Sequence, residues 1–219
     1  MSKAKSIASF TSFITRFPTQ KSLIEKLYLP AILESYTRVR LIENIRTKSE
    51  NQIRNDIERD LKKRNTIISH IIKRNTIFLN SEAQILTETE VYRTDIKFSF
   101  HEREDFVIEC KKLSSAENRY IQGHFDNTKG EYVFDGMERF TANIYSASAK
   151  NASMLAFVIN PNIQTVMNSL IEKVVAFKFV SGQEKLLTTK CVKYTHSFQS
   201  KHHRDDKSTI HIYHILLEI

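Results

Sequence analysis

VYRTDIKFSF at residues 91–100 and DFVIECKKL at residues 105–113 are the two stretches on which the fold turns. Both are rich in β-branched and aromatic residues, and both alternate apolar with polar side chains, the period of a strand. Joined through residues 101–103 they read as a hairpin. In an antiparallel register centred on Glu102, Asp95 lies opposite Glu109, Ile96 opposite Ile108 and Phe98 opposite Phe106. Side chains alternate across a sheet, so one face carries Ile96, Phe98, Phe100, Phe106, Ile108 and Cys110. That is a core face, and it fixes the register, because a slip of one residue would turn all of it outward. The other face carries Asp95, Lys97, Ser99, Val107, Glu109 and Lys111. Two carboxylates and two ammonium groups therefore converge on one side.

Working outward, a further strand is predicted at residues 84–88. The glycines all lie at or beyond Gly123, and no proline falls between Pro30 and Pro161, so the N-terminal part reads as long helices. One covers residues 21–45. The next starts near residues 47–49, where two capping boxes overlap, Thr47 with Glu50 and Ser49 with Gln52. Its stripe is Ile53, Ile57, Leu61 and Ile68, continued by Ile71 and Ile72. Downstream come a glycine-containing loop, a helix over residues 132–150 and a buried strand over 154–159 ended by Asn160 and Pro161. A helix at 163–174 and strands at 190–197 and 209–218 follow. This order predicts an α/β fold with a mixed central sheet flanked by helices. Residues 1–48 are expected to form a helical N-terminal extension, and residues 49–219 one domain.

Composition limits the partners. Hydrophobic residues make up 41% and charged residues 26% of the chain, which excludes wholesale disorder. No apolar run reaches the roughly 18 residues of a membrane span, so no membrane partner is expected. Residues 1–17 are basic, serine-rich and free of acids; a docked basic helix and a transit peptide are the alternatives, and a secretory signal is excluded. The cysteines, Cys110 and Cys191, form no CxxC pair, so neither a disulfide framework nor a zinc ribbon is indicated and a cytoplasmic setting is expected. A net charge of +8 and a pI of about 9.4 favour a polyanionic partner. P-loop, GxGxxG and GxSxG motifs are absent.

The convergent carboxylates suit phosphodiester hydrolysis, which needs an activated water and compensation for charge building on the phosphate. A divalent cation held by oxygen ligands supplies both. A lysine two residues on, facing the same way, can position the water or neutralise that charge.

Asp95, a spacer and then Glu109-Cys110-Lys111 closing an apolar strand resemble the PD-(D/E)xK, restriction-endonuclease-like nuclease superfamily. The resemblance covers residues 50–161. It implies a Mg²⁺- or Mn²⁺-dependent nuclease with Asp95, Glu109 and Lys111 as the catalytic trio. The metal would be held by Asp95, Glu109 and the backbone carbonyl of Cys110. It also implies an acid from the preceding helix, a place Glu50 fits because it continues the inward stripe. Tyr132, Gly136, Met137, Arg139, Phe140 and Tyr145 look like the family's downstream helix. Thr94 stands where the family often has proline. DNA ranks ahead of RNA as the nucleic-acid partner, in microbial restriction, defence or repair. A homodimer, a partner subunit, an RNase effector and a non-catalytic nucleic-acid-binding subunit all stay open.

A (D/E)xK tripeptide alone decides little, since Asp60–Lys62, Asp95–Lys97 and Asp205–Lys207 also have this form. The first falls on a helix, where positions two apart diverge, and the last in a polar loop. Asp95–Lys97 is a rival frame, with Glu82 or Glu88 upstream. Glu109–Lys111 is preferred because its frame follows an apolar strand and has Asp95 opposite. Five histidines fall late, His196, His202, His203, His211 and His214, at a spacing that matches no zinc pattern. A solvated loop over residues 202–207 flanked by strand histidines is preferred to a metal or phosphate site, and His196 and His214 face each other if the last two strands pair. The basic runs at 38–46 and 62–73 fit either a nucleic-acid backbone or a solvated face.

Overall fold

The computed structural model describes residues 12–74, 76–86, 91–101, 103–128, 130–145, 148–177 and 194–219. Positions 87–90, 102 and 178–193 lie outside these, and with them Glu88, Glu102, Cys191 and most of the strand expected at 190–197.

The predicted helix over 21–45 is instead a jointed rod. A short helix at residues 12–16 (α1) leads to α2 (Gln20–Leu23), a π-helical segment (Ile24–Tyr28) and α3 (Leu29–Val39). Pro30 explains the joint. It has no N–H to donate back along the helix, and the widened turn before it absorbs the mismatch. After a 3-10 turn (Ile45–Thr47), α4 (Glu50–Lys63) begins at Ser49. Of the two possible capping boxes the second forms: Gln52 N–H donates to Ser49 Oγ at 3.3 Å, and Ser49 N–H to Gln52 Oε1 at 2.8 Å. Ile53, Ile57 and Leu61 are buried as a stripe. Each contributes on the order of 2 kcal/mol by leaving water. The helix stops at Arg64, because buried Asn65 turns its amide onto Ala31 O (2.7 Å) and Ser35 Oγ (2.9 Å) of α3. Ile68, Ile71 and Ile72 thus belong not to α4 but to a turn and the short α5 (Ser69–Lys73).

A six-stranded mixed sheet forms the centre, in the order β1-β4-β5-β8-β10-β9. It comprises β1 (Phe78–Ser81), β4 (Ile96–Ser99), β5 (Phe106–Leu113), β8 (Asn151–Val158), β9 (Ser197–His203) and β10 (Thr209–Glu218). β1, β4 and β5 are successive antiparallel neighbours; β5, β8 and β10 run parallel, and β9 returns antiparallel. The hairpin register is the predicted one, with Ile96 against Ile108 and Phe98 against Phe106. Core residues of α2–α4 pack with Phe98, Phe106 and Ile108 on one face of the sheet. α7 (Ile163–Ala176) covers the other face with Val166, Leu170 and Val174. β5 is therefore buried on both sides.

Several elements depart from the reading of the sequence. The strand expected over 91–100 is two strands in two sheets: among the described residues β3 (Val91–Arg93) pairs only with β2 (Gln84–Leu86), and β4 belongs to the main sheet. The chain changes sheet at Thr94 and Asp95, where Thr94 N–H donates to Ala83 O at 3.1 Å. β1 was not anticipated, nor was the hairpin of β6 (His124–Asp126) and β7 (Glu131–Val133). The helix expected over 132–150 reduces to α6 (Glu138–Thr141). Phe140 and Tyr145 are buried as that stripe required, but Tyr145 reaches the core through a turn whose N–H donates to Arg139 O at 3.0 Å.

The late histidines also differ. His202 lies buried in β9, not in a solvated loop. His214 stands opposite Phe198, not His196, and stacks on its ring at 4.2 Å. The two join a buried hydrogen-bonded chain. Tyr120 Oη meets His214 Nδ1 at 3.0 Å, His214 Nε2 meets Ser200 Oγ at 2.7 Å, and Ser200 Oγ meets His202 Nε2 at 2.7 Å. His202 Nδ1 then donates to the carbonyl of Phe177 at 2.8 Å. A carbonyl only accepts, so with both rings neutral every proton in this chain points the same way, from Tyr120 towards Phe177.

Candidate active site

β4 begins at Ile96, opposite Ile108, and β5 runs on for five residues past that last partner, to Leu113. Extending the hairpin register by one position places Asp95 opposite Glu109. The chain has turned into another sheet by then, so the β4-facing edge of β5 loses its backbone partners at Cys110 and Lys112. Two carboxylates replace them. Asp95 Oδ2 accepts Cys110 N–H at 2.6 Å, and Glu50 Oε2, from the first turn of α4, accepts Lys112 N–H at 2.7 Å. In a strand the carbonyl of a residue shares the edge of its N–H. The Cys110 and Lys112 carbonyls therefore face this opening too, and Arg119 Nη2 donates to that of Lys112.

Glu109 and Lys111 point to the adjoining face. Only 1% of Glu109 and 6% of Lys111 are exposed. Lys111 Nζ contacts Glu109 Oε1 at 2.7 Å, Asp135 Oδ1 at 2.9 Å and Glu50 Oε1 at 3.8 Å. Arg139 Nη1 donates to the same Glu109 oxygen at 2.9 Å and to Tyr145 Oη at 2.6 Å. Burial, reinforced by Asp95 and only partly offset by Lys111 and Arg139, pushes Glu109 up to about 7. Burial works against the Lys111 ammonium, but Glu109, Asp135 and Glu50 together overcome it and hold the group above the ordinary lysine range. Glu50 is raised by burial, with Lys111 and the Lys112 N–H opposing and Asp95 adding. The Cys110 thiol is raised well above its usual value by burial, and its side chain sits in the core.

The four side chains anticipated from the sequence, Glu50, Asp95, Glu109 and Lys111, are thus neighbours. The rival frame separates: Lys97, opposite Val107 on the same face, pairs with Asp105 at 3.0 Å towards the turn end of the hairpin. Three charged residues were not assigned a role beforehand. Arg54 of α4 donates to Asp95 Oδ1 at 2.7 Å and to Glu82 Oε1 at 2.6 Å. Arg139 and Asp135 flank Glu109 and Lys111. A signal for Arg54 existed, since it lies one helical turn after Glu50 and so on the same side of α4.

The donors present fit a hard divalent cation. Glu109 Oε2 is buried with no hydrogen-bond partner. Both Asp95 oxygens have one partner each and keep a free lone pair. Among the described residues no three Asp, Glu, His or Cys side chains form a closed metal cage. Two carboxylates with the Cys110 carbonyl would instead leave most of the coordination sphere to water, as Mg²⁺ prefers. No helix among the described residues is long and apolar enough to cross a membrane. The chain matches no protein-family model, no curated protein and no solved structure, so its function has to be read from these side chains.

Proposed function

We propose that this protein is a metal-dependent nuclease that hydrolyses phosphodiester bonds, with DNA as its substrate. The observation that carries the reading is the unpartnered, buried Oε2 of Glu109 beside Asp95 and Lys111. The order of α4, three antiparallel neighbours, a short helix and then the parallel β8 is in keeping with a restriction-endonuclease-like core. Asp95, Glu109 Oε2 and the Cys110 carbonyl would hold Mg²⁺ or Mn²⁺, with Glu50 reaching it through water. Such an ion lowers the pKa of water and polarises the scissile phosphate.

The protein's own groups then have distinct tasks. Arg54 neutralises Asp95 and fixes its rotamer, leaving Oδ2 on the open edge of β5. Lys111 Nζ, already held by three carboxylates, stands where it can orient the attacking water or offset charge growing on a phosphate oxygen. Arg139 keeps Glu109 Oε1 occupied, so that Oε2 is the oxygen left to bind. The net charge of +8 favours a polyanion as substrate.

One observation favours a second reading, a non-catalytic nucleic-acid-binding subunit. Every charged group of the cluster has a partner of opposite charge or a backbone N–H, which a purely structural ion-pair network would also show. Incubation with plasmid DNA and with structured RNA, in Mg²⁺ or in EDTA, separates the readings. Mg²⁺-dependent nicking of DNA supports the nuclease, cleavage of RNA alone moves the substrate, and binding without cleavage favours the scaffold.

A further inference from the structure

Beyond the far end of α4 from Glu50 lies a second site. The fourteen residues of α4 span about 20 Å, and the chain then turns at Thr66 into α5. There α1, the π-helical segment and α5 enclose a pocket of about 370 Å³. Arg16, Lys26, His70 and Arg74 line it, and none of the four has a carboxylate partner among the described residues. Glu34, which reaches the rim residue Thr66, is engaged by Arg38 and by Thr66 Oγ1 and N–H. The pocket's wall is therefore cationic without internal neutralisation, a state that invites an anion.

Its floor has different chemistry. Phe13 and Phe17 meet with ring centres 4.9 Å apart, beside Leu27 and Ile71, and the Arg16 guanidinium lies 5.4 Å from the Phe17 ring centre. A simple inorganic anion would use the cations and leave this apolar floor empty. A ligand that uses both halves has a flat, apolar-faced ring joined to a multiply charged group, and the volume suits a molecule of that size.

We propose that this pocket binds a phosphorylated nucleoside, its phosphate among Lys26, His70 and Arg74 and its base on the Phe13–Phe17 floor. The source is either a free mononucleotide or the phosphorylated end of a nucleic-acid strand. The inference does not depend on catalysis at Glu109, and its test is run in EDTA so that cleavage plays no part.

The experiment is calorimetric titration of the full chain with AMP, with inorganic phosphate and with a 5′-phosphorylated single-stranded oligonucleotide. AMP or the oligonucleotide is expected to saturate at one site, with inorganic phosphate at least about tenfold weaker. Joint Lys26→Gln and Arg74→Gln substitution should weaken nucleotide binding by about tenfold or more, while Lys97→Gln, outside both the pocket and the acidic cluster, leaves it unchanged. Both cations are exposed, so folding should survive, and the thermal midpoint checks this. Phe13→Ala should weaken AMP but not phosphate. Saturation by AMP assigns a free nucleotide, and saturation by the oligonucleotide alone assigns a strand end. The proposal is overturned if neither nucleotide saturates, if phosphate binds as tightly as AMP, or if the paired substitution leaves affinity unchanged.

Discussion

Asp95 Oδ2 accepts the backbone N–H of Cys110 at 2.6 Å, so a side chain from the end of one strand completes the ladder of the next. The same carboxylate is held from the other side by Arg54, whose side chain is only 4% exposed. Asp95 thus has a structural task and a candidate catalytic one at the same atoms.

Replacing Arg54 separates the two. Arg54→Met keeps the length of the side chain but leaves Asp95 with an uncompensated charge in a partly buried place. Removing one partner of such a pair costs about 3 kcal/mol. The variant is expected to unfold at lower urea concentration than wild type, and millimolar Mg²⁺ should restore more of the loss than it adds to wild type. A metal-independent loss would leave Asp95 with the structural task alone.

Lys111 and Lys97 test which frame carries the chemistry. Lys111 sits inside the acidic cluster, whereas Lys97 is paired with Asp105. Lys111→Ala should lower the rate of plasmid nicking by at least about a hundredfold, within the range for removing a group that stabilises developing charge. Lys97→Ala should retain most of the rate. The opposite ranking would transfer the site to Asp95–Lys97.

Glu50 bonds the Lys112 N–H and lies 3.8 Å from Lys111 Nζ. Glu50→Gln preserves the size of the side chain and its oxygen acceptor while removing the charge. The expected result is a several-fold rise in the Mg²⁺ concentration giving half-maximal cleavage, with little change in unfolding midpoint. An unchanged metal requirement would reduce Glu50 to a helix-start residue that closes a strand edge.

His214 gives a pH dependence remote from the site. Burial, with His202 adding, holds its imidazole well below the usual histidine range. The folded ring therefore stays neutral while the unfolded one takes up a proton below about pH 6.5. The unfolded state binds more protons there, so stability is full above that value and falls as the pH drops through it. Denaturation midpoints one unit either side should differ more for wild type than for His214→Gln. Equal shifts would place the acid sensitivity elsewhere.

The hairpin register was legible because six apolar side chains alternate between Ile96 and Cys110, so that a slip of one residue would turn them all outward, and the short turn fixes the rest. The break at Thr94 was not. Val91 to Phe100 is rich in strand-forming residues with Asp95 as its one weak point, and the change of sheet goes with a bond from Thr94 N–H to the carbonyl of Ala83. The residues 132–150 misled for a related reason. Their buried positions obey a helical spacing, yet glycine at Gly136 with φ 53° and the turn after Thr141 deliver the same side chains without a long helix. Within the site, Asp95, Glu109 and Lys111 could be read from one strand pair, and Glu50 from the stripe of α4. Asp135 and Arg139 arrive from a connection whose placement against β5 is a tertiary fact, whereas Arg54 shared the Glu50 side of α4.

The parallel partnership of β5 with β8 bears on the order in which the molecule assembles. β4 and β5 are joined by a short turn, but β5 and β8 become neighbours only after the whole connection from Ser114 to Lys150 has been laid across the sheet. Closing the longer loop carries the larger entropy cost, so the local hairpin is expected to form first. Asp95 and Glu109 would then be facing each other before Asp135 and Arg139, which travel on that connection, reach them. In that order of events the acidic half of the cluster would exist for a time without part of its basic half. In that interval a dissolved cation would serve as a substitute counter-charge, so that Mg²⁺ is expected to speed refolding whether or not the cluster is catalytic.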